Sequence, residues 1–253
     1  VILPYFLLTV IVAVIGVFVV TRLIGNTIEE RLTNQLLEAG RVVSDSFVRQ
    51  EVQHIENARI IAYTSGLANA LETEDRETAL TLVEPAFAGL GIENLILISP
   101  QGNELVHLIM DETGKLQQVA QYTGVTNSTI VAPFLTNRNV KEAPRRALGV
   151  NLVNNETYYY TSIPVSLDGM FSGVVVIGTS IQSILPFLKN TALADIIIYG
   201  RDGQAIGTTL GMADQNMLNL ISIKKDEYQQ IIVSEDIVTG TNISVDERSF
   251  SIA

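Results

Sequence analysis

The chain opens on a run with no charged position, VILPYFLLTVIVAVIGVFVVT, which Arg22 closes. A helix needs about 20 apolar residues to cross a hydrocarbon core about 30 Å thick. The pattern predicts a transmembrane helix over residues 1–24, with Pro4 near a helix end and Tyr5 and Phe6 at the interface. A cleavable signal peptide would carry a shorter apolar region and a small-x-small cleavage site, which this run lacks. A buried core helix is the other alternative, but such a helix rarely goes this long without a polar residue.

Residues 25–72 hold no proline, and their apolar positions recur every three or four residues. Ile28, Leu32, Leu36, Ala39, Val43 and Phe47 form one stripe, and Val48, Val52, Ile55, Ile61 and Ala62 form a second set. Thr27 with Glu30 three residues later makes a capping box. The expectation is a stalk helix of about 45 residues, roughly 65 Å long, with Gly40 and Gly66 as places to bend or break. Its stripe must face the following domains or a second copy of itself. A shorter helix is predicted over residues 74–90.

The period then changes from helical to alternating. NLILISPQGNELVHL reads as a hairpin, with Pro100 and Gly102 supplying the turn. Residues 111–154 lose the alternation and are expected to form helices with loops. TYYYTSIPV and SGVVVIGTS read as strands joined by an Asp168-Gly169 turn. IQSILPFLKN reads as a short helix. DIIIYGRDGQAIGTT then repeats the hairpin pattern, with Asp202-Gly203 at its turn. MADQNMLNLISIKKDEYQQII reads as helical, and IVSEDIVTG and ISVDERSFSIA as strands. The fold class is therefore α+β: a membrane helix, a stalk, and two tandem antiparallel-sheet modules over residues 73–187 and 188–253. The second, about 65 residues long, falls short of a usual domain and is expected to be truncated.

Composition narrows the function. The chain has no cysteine, which excludes disulfides, thiolate zinc sites and cysteine nucleophiles. A net charge of -11 repels phosphate backbones, so nucleic acid is not an expected partner. No G-x-S-x-G, H-E-x-x-H or phosphate-binding loop occurs, so no enzyme is expected within these residues, and no cofactor or metal. His54 and His107 lack a second histidine at metal-ligand spacing.

The order of elements, with LILISPQGNELV, YYYTSIPVSLDGMFSGVVVIGTSI and IIIYGRDGQAIGTT as its clearest segments, resembles the double Cache sensor domains of bacterial membrane receptors. The resemblance implies PAS-like modules along one long helix, outside the cytoplasm and anchored in the bacterial inner membrane. It implies a small-molecule ligand held in the distal module, between the sheet and the helical insert. Signalling would run through the helices to a kinase, cyclase or chemotaxis output domain beyond residue 253. Lipid bilayer and a second copy, joined through the stalk, are the other implied partners.

Candidate ligand contacts follow from that placement. Arg138, Arg145 and Arg146 lie in the insert and suit a carboxylate. Tyr158 and Tyr160 share one strand face and can offer ring and hydroxyl. Thr179 ends the central strand with a hydroxyl. The chain has no Trp, and Thr179 and Ser180 stand where amino-acid-binding relatives place an Asp for the ligand ammonium. The alternative function is a membrane-anchored accessory or structural subunit whose modules dock a partner protein.

Overall fold

The computed structural model describes residues 2–111, 113–120, 123–211, 214–234, 241–245 and 248–252, with side chains described over 11–19, 21–22 and 30–234 within those ranges. Helix α1 runs unbroken from Ile2–Ala62. The chain is already helical at Thr27, so no cap forms there, and Gly40 does not interrupt the helix. The break falls beyond Ala62, where Gly66 takes a φ of 88° ahead of α2 (Leu67–Glu72). Helix α3 (Arg76–Leu90) starts at Asp75, whose carboxylate accepts the Thr78 amide at 3.1 Å. It stops at Gly91, which adopts the left-handed conformation favoured after a helix.

Strands β1 (Asn94–Ile98), β2 (Glu104–Met110), β3 (Leu116–Gln118), β4 (Arg145–Val150), β5 (Thr157–Leu167) and β6 (Met170–Ser180) build one antiparallel sheet in the order β3-β2-β1-β6-β5-β4. The Asp168-Gly169 turn joining β5 and β6 has φ values of 50° and 80°, as a tight hairpin turn of right-handed twist requires. The two central strands are buried along almost their whole length, because both sheet faces are covered. On one face Leu95, Leu97, Val175, Ile177 and Ile163 meet Ala58 and Ile61 of α1 together with α2 and α3. On the other, Ile96, Ile98, Val174, Val176, Tyr158 and Tyr160 meet Ile130, Val131 and Phe134 of the insert. Burying one such aliphatic side chain contributes about 2 kcal/mol.

Residues 111–154 are not helices and loops alone: besides α4 (Ala132–Asn137) they carry β3 and β4, the two edges of the sheet. Edge strands have one covered flank at most, so neither shows the apolar run that marks β1 and β6. Of the stalk's apolar positions, Val48 and Val52 are more than half exposed and do not face the sheet. The sheet is met by Ala58, Ile61 and Ala62, with His54 reaching Thr161 and Thr179, while Ser46 and Asn57 are also buried.

Helix α5 (Ile181–Ala192) follows β6 and packs Ile181, Ile184, Leu185 and Leu188 with Tyr159, Val43 and Phe47. The second hairpin, β7 (Ile197–Tyr199) with β8 (Ala205–Thr208), forms its own ladder, turned at Gly203 with a φ of 83°. Helices α6 (Gln215–Ile221) and α7 (Lys225–Val233) divide what the sequence pattern reads as one helical stretch. Ile232 and Val233 end α7 rather than opening a strand, and residues 235–240 lie outside the described set. The last ladder is a hairpin of β9 (Thr241–Val245) and β10 (Arg248–Ile252). Both late ladders are separate from the six-stranded sheet.

Among the described residues no helix is long and apolar enough to cross a membrane. The expected span over 1–24 rests largely on residues 1–10, 20 and 23–24, whose side chains lie outside the described set. Within its described part, Ile11, Val12, Val14, Ile15, Val17, Phe18 and Val19 are all exposed.

Gly173 of β6 has a φ of 142°, and a Cβ there would overlap the carbonyl oxygen of Ile98 on β1. Gly173→Ala is expected to lower stability by roughly 3 kcal/mol, seen as a melting temperature about 10 °C lower. Gly89→Ala, in α3 with open space around the new methyl, should be neutral or raise the melting temperature slightly.

Candidate ligand-binding site

A cavity of ≈ 270 Å³ lies between the sheet and the insert. Its floor is Ile96 of β1 and Tyr160 of β5, one wall is β4 around Ala147 and Gly149, and its roof is the segment from Thr123 to Ile130. The floor is open because Tyr160 lies flat. A Cβ at Gly178 on β6 would fall 2.7 Å from the Tyr160 ring, and one at Gly149 on β4 would fall 3.4 Å away. Two flanking strands thus carry glycine where the ring spreads across them.

The roof is pinned rather than draped. Thr123 donates its amide and its hydroxyl to Glu104 of β2, both at 2.8 Å. Thr126 donates to the Gly102 carbonyl in the first hairpin turn at 3.2 Å. Ser162 of β5 donates to the Ile130 carbonyl at 2.6 Å. A cavity framed by such bonds is formed before any ligand arrives.

Three polar residues in the lining matter to its chemistry. Asn151 follows β4, and its Oδ1 accepts the Val153 amide at 2.9 Å, an Asx turn that fixes the side chain. Its Nδ2 is buried and has no hydrogen-bond partner among the described residues. Ser128 Oγ is in the same condition. An unpaired buried polar group costs about 1–3 kcal/mol. The third is Tyr160, whose pKa is raised by burial first and by Tyr158 second. Asn151 stands near enough to oppose that rise in part, but no well-formed hydrogen bond joins the two. The Tyr160 phenol therefore keeps its proton and remains a donor.

Of the residues singled out by sequence, Tyr160 lines the cavity. Tyr158 shares its face, stacks on Tyr160 at 5.7 Å between centroids, and receives a hydrogen bond from Asn154 at 3.0 Å. Arg145 points to the insert side but is held by Glu142 and lies 5.8 Å from the Phe134 ring centre. Arg138 caps α4 in the left-handed conformation and donates to the Pro100 carbonyl at 3.3 Å, away from the cavity. Arg146 and Thr179 occupy the opposite sheet face. Among the described residues no group of three or more acidic or histidine side chains is placed to hold a metal. Sequence reasoning passed over Asn151 and Ser128. The run NLVNNET signals a turn, and nothing local says that one of its amides will be sealed against a cavity.

The opposite face carries a polar seam between the sheet and α1. Arg146 meets Glu51 at 2.6 Å, and Glu51 also accepts the Tyr159 hydroxyl at 2.6 Å. The imidazole of His54 lies 2.6 Å from Thr179 Oγ1 through Nε2 and 3.4 Å from Thr161 Oγ1 through Nδ1. Burial pulls the His54 pKa down to about 4, outweighing the opposing charge of Glu51. The seam and the cavity share strands: Tyr159 and Thr161 alternate with Tyr158 and Tyr160 along β5.

A family model described as the double sensory domain of two-component sensor kinase, dCache_3, matches residues 29–250. Among solved structures, methyl-accepting chemotaxis protein X superposes with a TM-score of 0.64 at 13% identity, over 87% of this chain and 89% of that one. The extracellular domain of vpHK1S-Z8, assigned as a histidine kinase, gives a TM-score of 0.61 at 14% identity, over 90% and 88%. The sensory domain of the Campylobacter jejuni chemoreceptor Tlp3, solved with isoleucine bound, gives 0.56 at 12% identity, over 90% and 87%. At these identities the likeness is one of fold. A search of curated proteins returned no match to this chain.

The His54 value fixes a pH dependence. The unfolded chain takes up this proton near the ordinary histidine value of 6.5 and the folded chain only near 4, so stability is complete above about 6.5 and is lost as pH falls towards about 4. The difference corresponds to roughly 3 kcal/mol. Denaturant melts across that window should show the loss in the native protein, and His54→Gln should flatten it; an equal loss in the variant would refute the assignment.

Proposed function

This chain belongs to the double Cache sensory-domain family whose model matches residues 29–250, and from that membership we propose that it senses a small molecule in the cavity beneath Tyr160. The observation that carries the reading is a pinned cavity of ≈ 270 Å³ whose lining includes polar groups without partners among the described residues. Members of such a family act as sensors rather than catalysts, and a kinase or chemotaxis-type output is consistent with the structural neighbours. A ligand changes a receptor only through its differential affinity for two states. Driving a 1:99 population to 99:1 takes about 5.5 kcal/mol of such difference. Here the ligand would press on β4 and β5, and the seam of Tyr159, Thr161 and Arg146 would pass that displacement to Glu51 and His54 of α1.

A thermal-shift screen of small polar molecules tests this. At least one compound should raise the melting temperature, and Ala147→Leu, which fills the cavity from β4, should abolish the rise while the protein still folds. A hundredfold excess over Kd stabilises by about 2.7 kcal/mol, easily read. A rise retained in Ala147→Leu would place binding elsewhere. The partner-docking alternative draws support from the exposed Leu148, Val150 and Leu152 at the β4 edge. It would be preferred if no compound shifted the native protein.

The anchor and the dimer belong to the same proposal. The exposed apolar side chains from Ile11 to Val19 have no protein surface over them, which is the arrangement of a helix that meets lipid. Val48 and Val52, one helical turn apart and more than half exposed, suit contact with the same helix of a second copy. The chain has no native cysteine, so Val48→Cys in membrane vesicles should give a disulfide-linked dimer, and adding Val52→Lys should suppress it. Chain that stays in the soluble fraction, or that cross-links equally with Val52→Lys, would overturn the respective part.

A further inference from the structure

Charge is missing where most small metabolites would need it. Ile96, Val125, Ile130 and Ala147 give the cavity its apolar surface, and Thr123, Ser128, Asn151 and Tyr160 its polar one. No Asp, Glu, Lys, Arg or His lines it among the described residues. The nearest charges are already engaged. Glu104 is held by two bonds from Thr123. Arg145 is paired with Glu142. Glu156 accepts from Asn154 at 3.0 Å and from Ser180 at 3.3 Å. A carboxylate or ammonium entering this space would lose its water without gaining a counter-charge, which buried ions do not tolerate.

The unpaired groups in the lining can donate: Asn151 Nδ2 has two protons to give and Ser128 one, and Tyr160 beside them adds a phenol. The complement is an oxygen acceptor on an otherwise apolar body. The volume, at the small end of the ~300–1,000 Å³ usual for ligand pockets, keeps that body well below drug size.

We infer that the cavity takes a small uncharged molecule bearing a carbonyl or hydroxyl oxygen, such as an amide, ketone, ester or alcohol, with that oxygen received by Asn151 and Ser128 and the carbon skeleton set against Ile96 and Ile130. This rests on the sensor reading above and specifies its ligand. It also separates the chain from the isoleucine-bound chemoreceptor that shares its fold, since a zwitterion needs both a cationic and an anionic partner.

The test is a charge scan at constant shape on the full chain in lipid nanodiscs, with melting followed by circular dichroism. The probes are isovaleramide, 3-methylbutan-1-ol, isovalerate, isoamylammonium and L-leucine. The amide and the alcohol should stabilise the protein, with affinities at least about tenfold above the three charged probes. Asn151→Asp retains the acceptor for the Val153 amide and so keeps the Asx turn, but replaces the donors with a negative charge. It should weaken the amide by about tenfold and admit isoamylammonium. Ser128→Ala should weaken the amide without admitting any ion. Tighter binding of isovalerate, isoamylammonium or leucine to the native protein would overturn the neutral class and leave the sensor reading standing. Amide binding unaffected by both variants would overturn the assigned contacts. No response to any probe at its solubility limit, in native protein and variants alike, would overturn the inference, while the sensor reading falls only if the wider thermal-shift screen also finds no ligand.

Discussion

Strand alternation on a sheet covered on both sides is the constraint from which the rest follows. Along β5, Tyr158 and Tyr160 turn to the insert while Tyr159, Thr161 and Ile163 turn to the helices. A period of two leaves no intermediate position, so every residue of the central strands contributes to one compartment or the other. The cavity and the α1 seam are therefore separated by the thickness of one backbone. Any distortion of β5 that a guest imposes on Tyr160 must be shared by the neighbours on either side of it. In the proposed sensor this would be a mechanical coupling that needs no chain of side chains winding through the core.

The nature of the α1 contact fits that role. Towards the Ala62 end, α1 is held by aliphatic packing, with Ala58 and Ile61 against α2, α3 and the sheet. Further back it is held by Glu51, His54 and their hydroxyl partners. Apolar packing is non-directional and resists separation more than sliding. Hydrogen bonds to a buried imidazole and a shared carboxylate are directional and lose strength within a few tenths of an ångström. A helix held in this way has its register set by the polar part, while the apolar end tolerates small shifts along the sheet. Neutral His54 suits the seam: a protonated imidazole there would be a buried cation facing two threonine hydroxyls, with Glu51 already engaged by Arg146 and Tyr159.

Much of this was legible in the chain itself. The long helix, the hairpins of residues 94–110 and 157–180 and the repeated hairpin near residue 200 all announce themselves by period and by Asp-Gly or Gln-Gly turns. The edge strands β3 and β4 did not, because an edge strand needs no continuous apolar face. The stalk's facing was legible only in part: Val43, Phe47, Ile61 and Ala62 of the expected stripes do pack inward. Hydrophobic stripes identify the buried side of a helix only when the surface opposite is apolar, and here Thr161, Thr179 and Tyr159 present hydroxyls, so Ser46, His54 and Asn57 turn inward and Val48 and Val52 outward. Of the candidate contacts, Tyr160 could be placed by alternation alone. Asn151 and Ser128 could not, because their significance lies in lacking partners, and that is a property of the assembled site.

The arginines teach the complementary lesson. Arg138, Arg145 and Arg146 stand in the insert and β4, close in sequence to the cavity, and a carboxylate ligand was the natural expectation from them. Each is already engaged: one with a backbone carbonyl, one with Glu142, one with Glu51. In a chain carrying 27 acidic residues against 16 basic ones, a cation near a wall finds an internal partner before a ligand can claim it. With all three arginines engaged, hydrogen bonding and shape would decide what enters the proposed site.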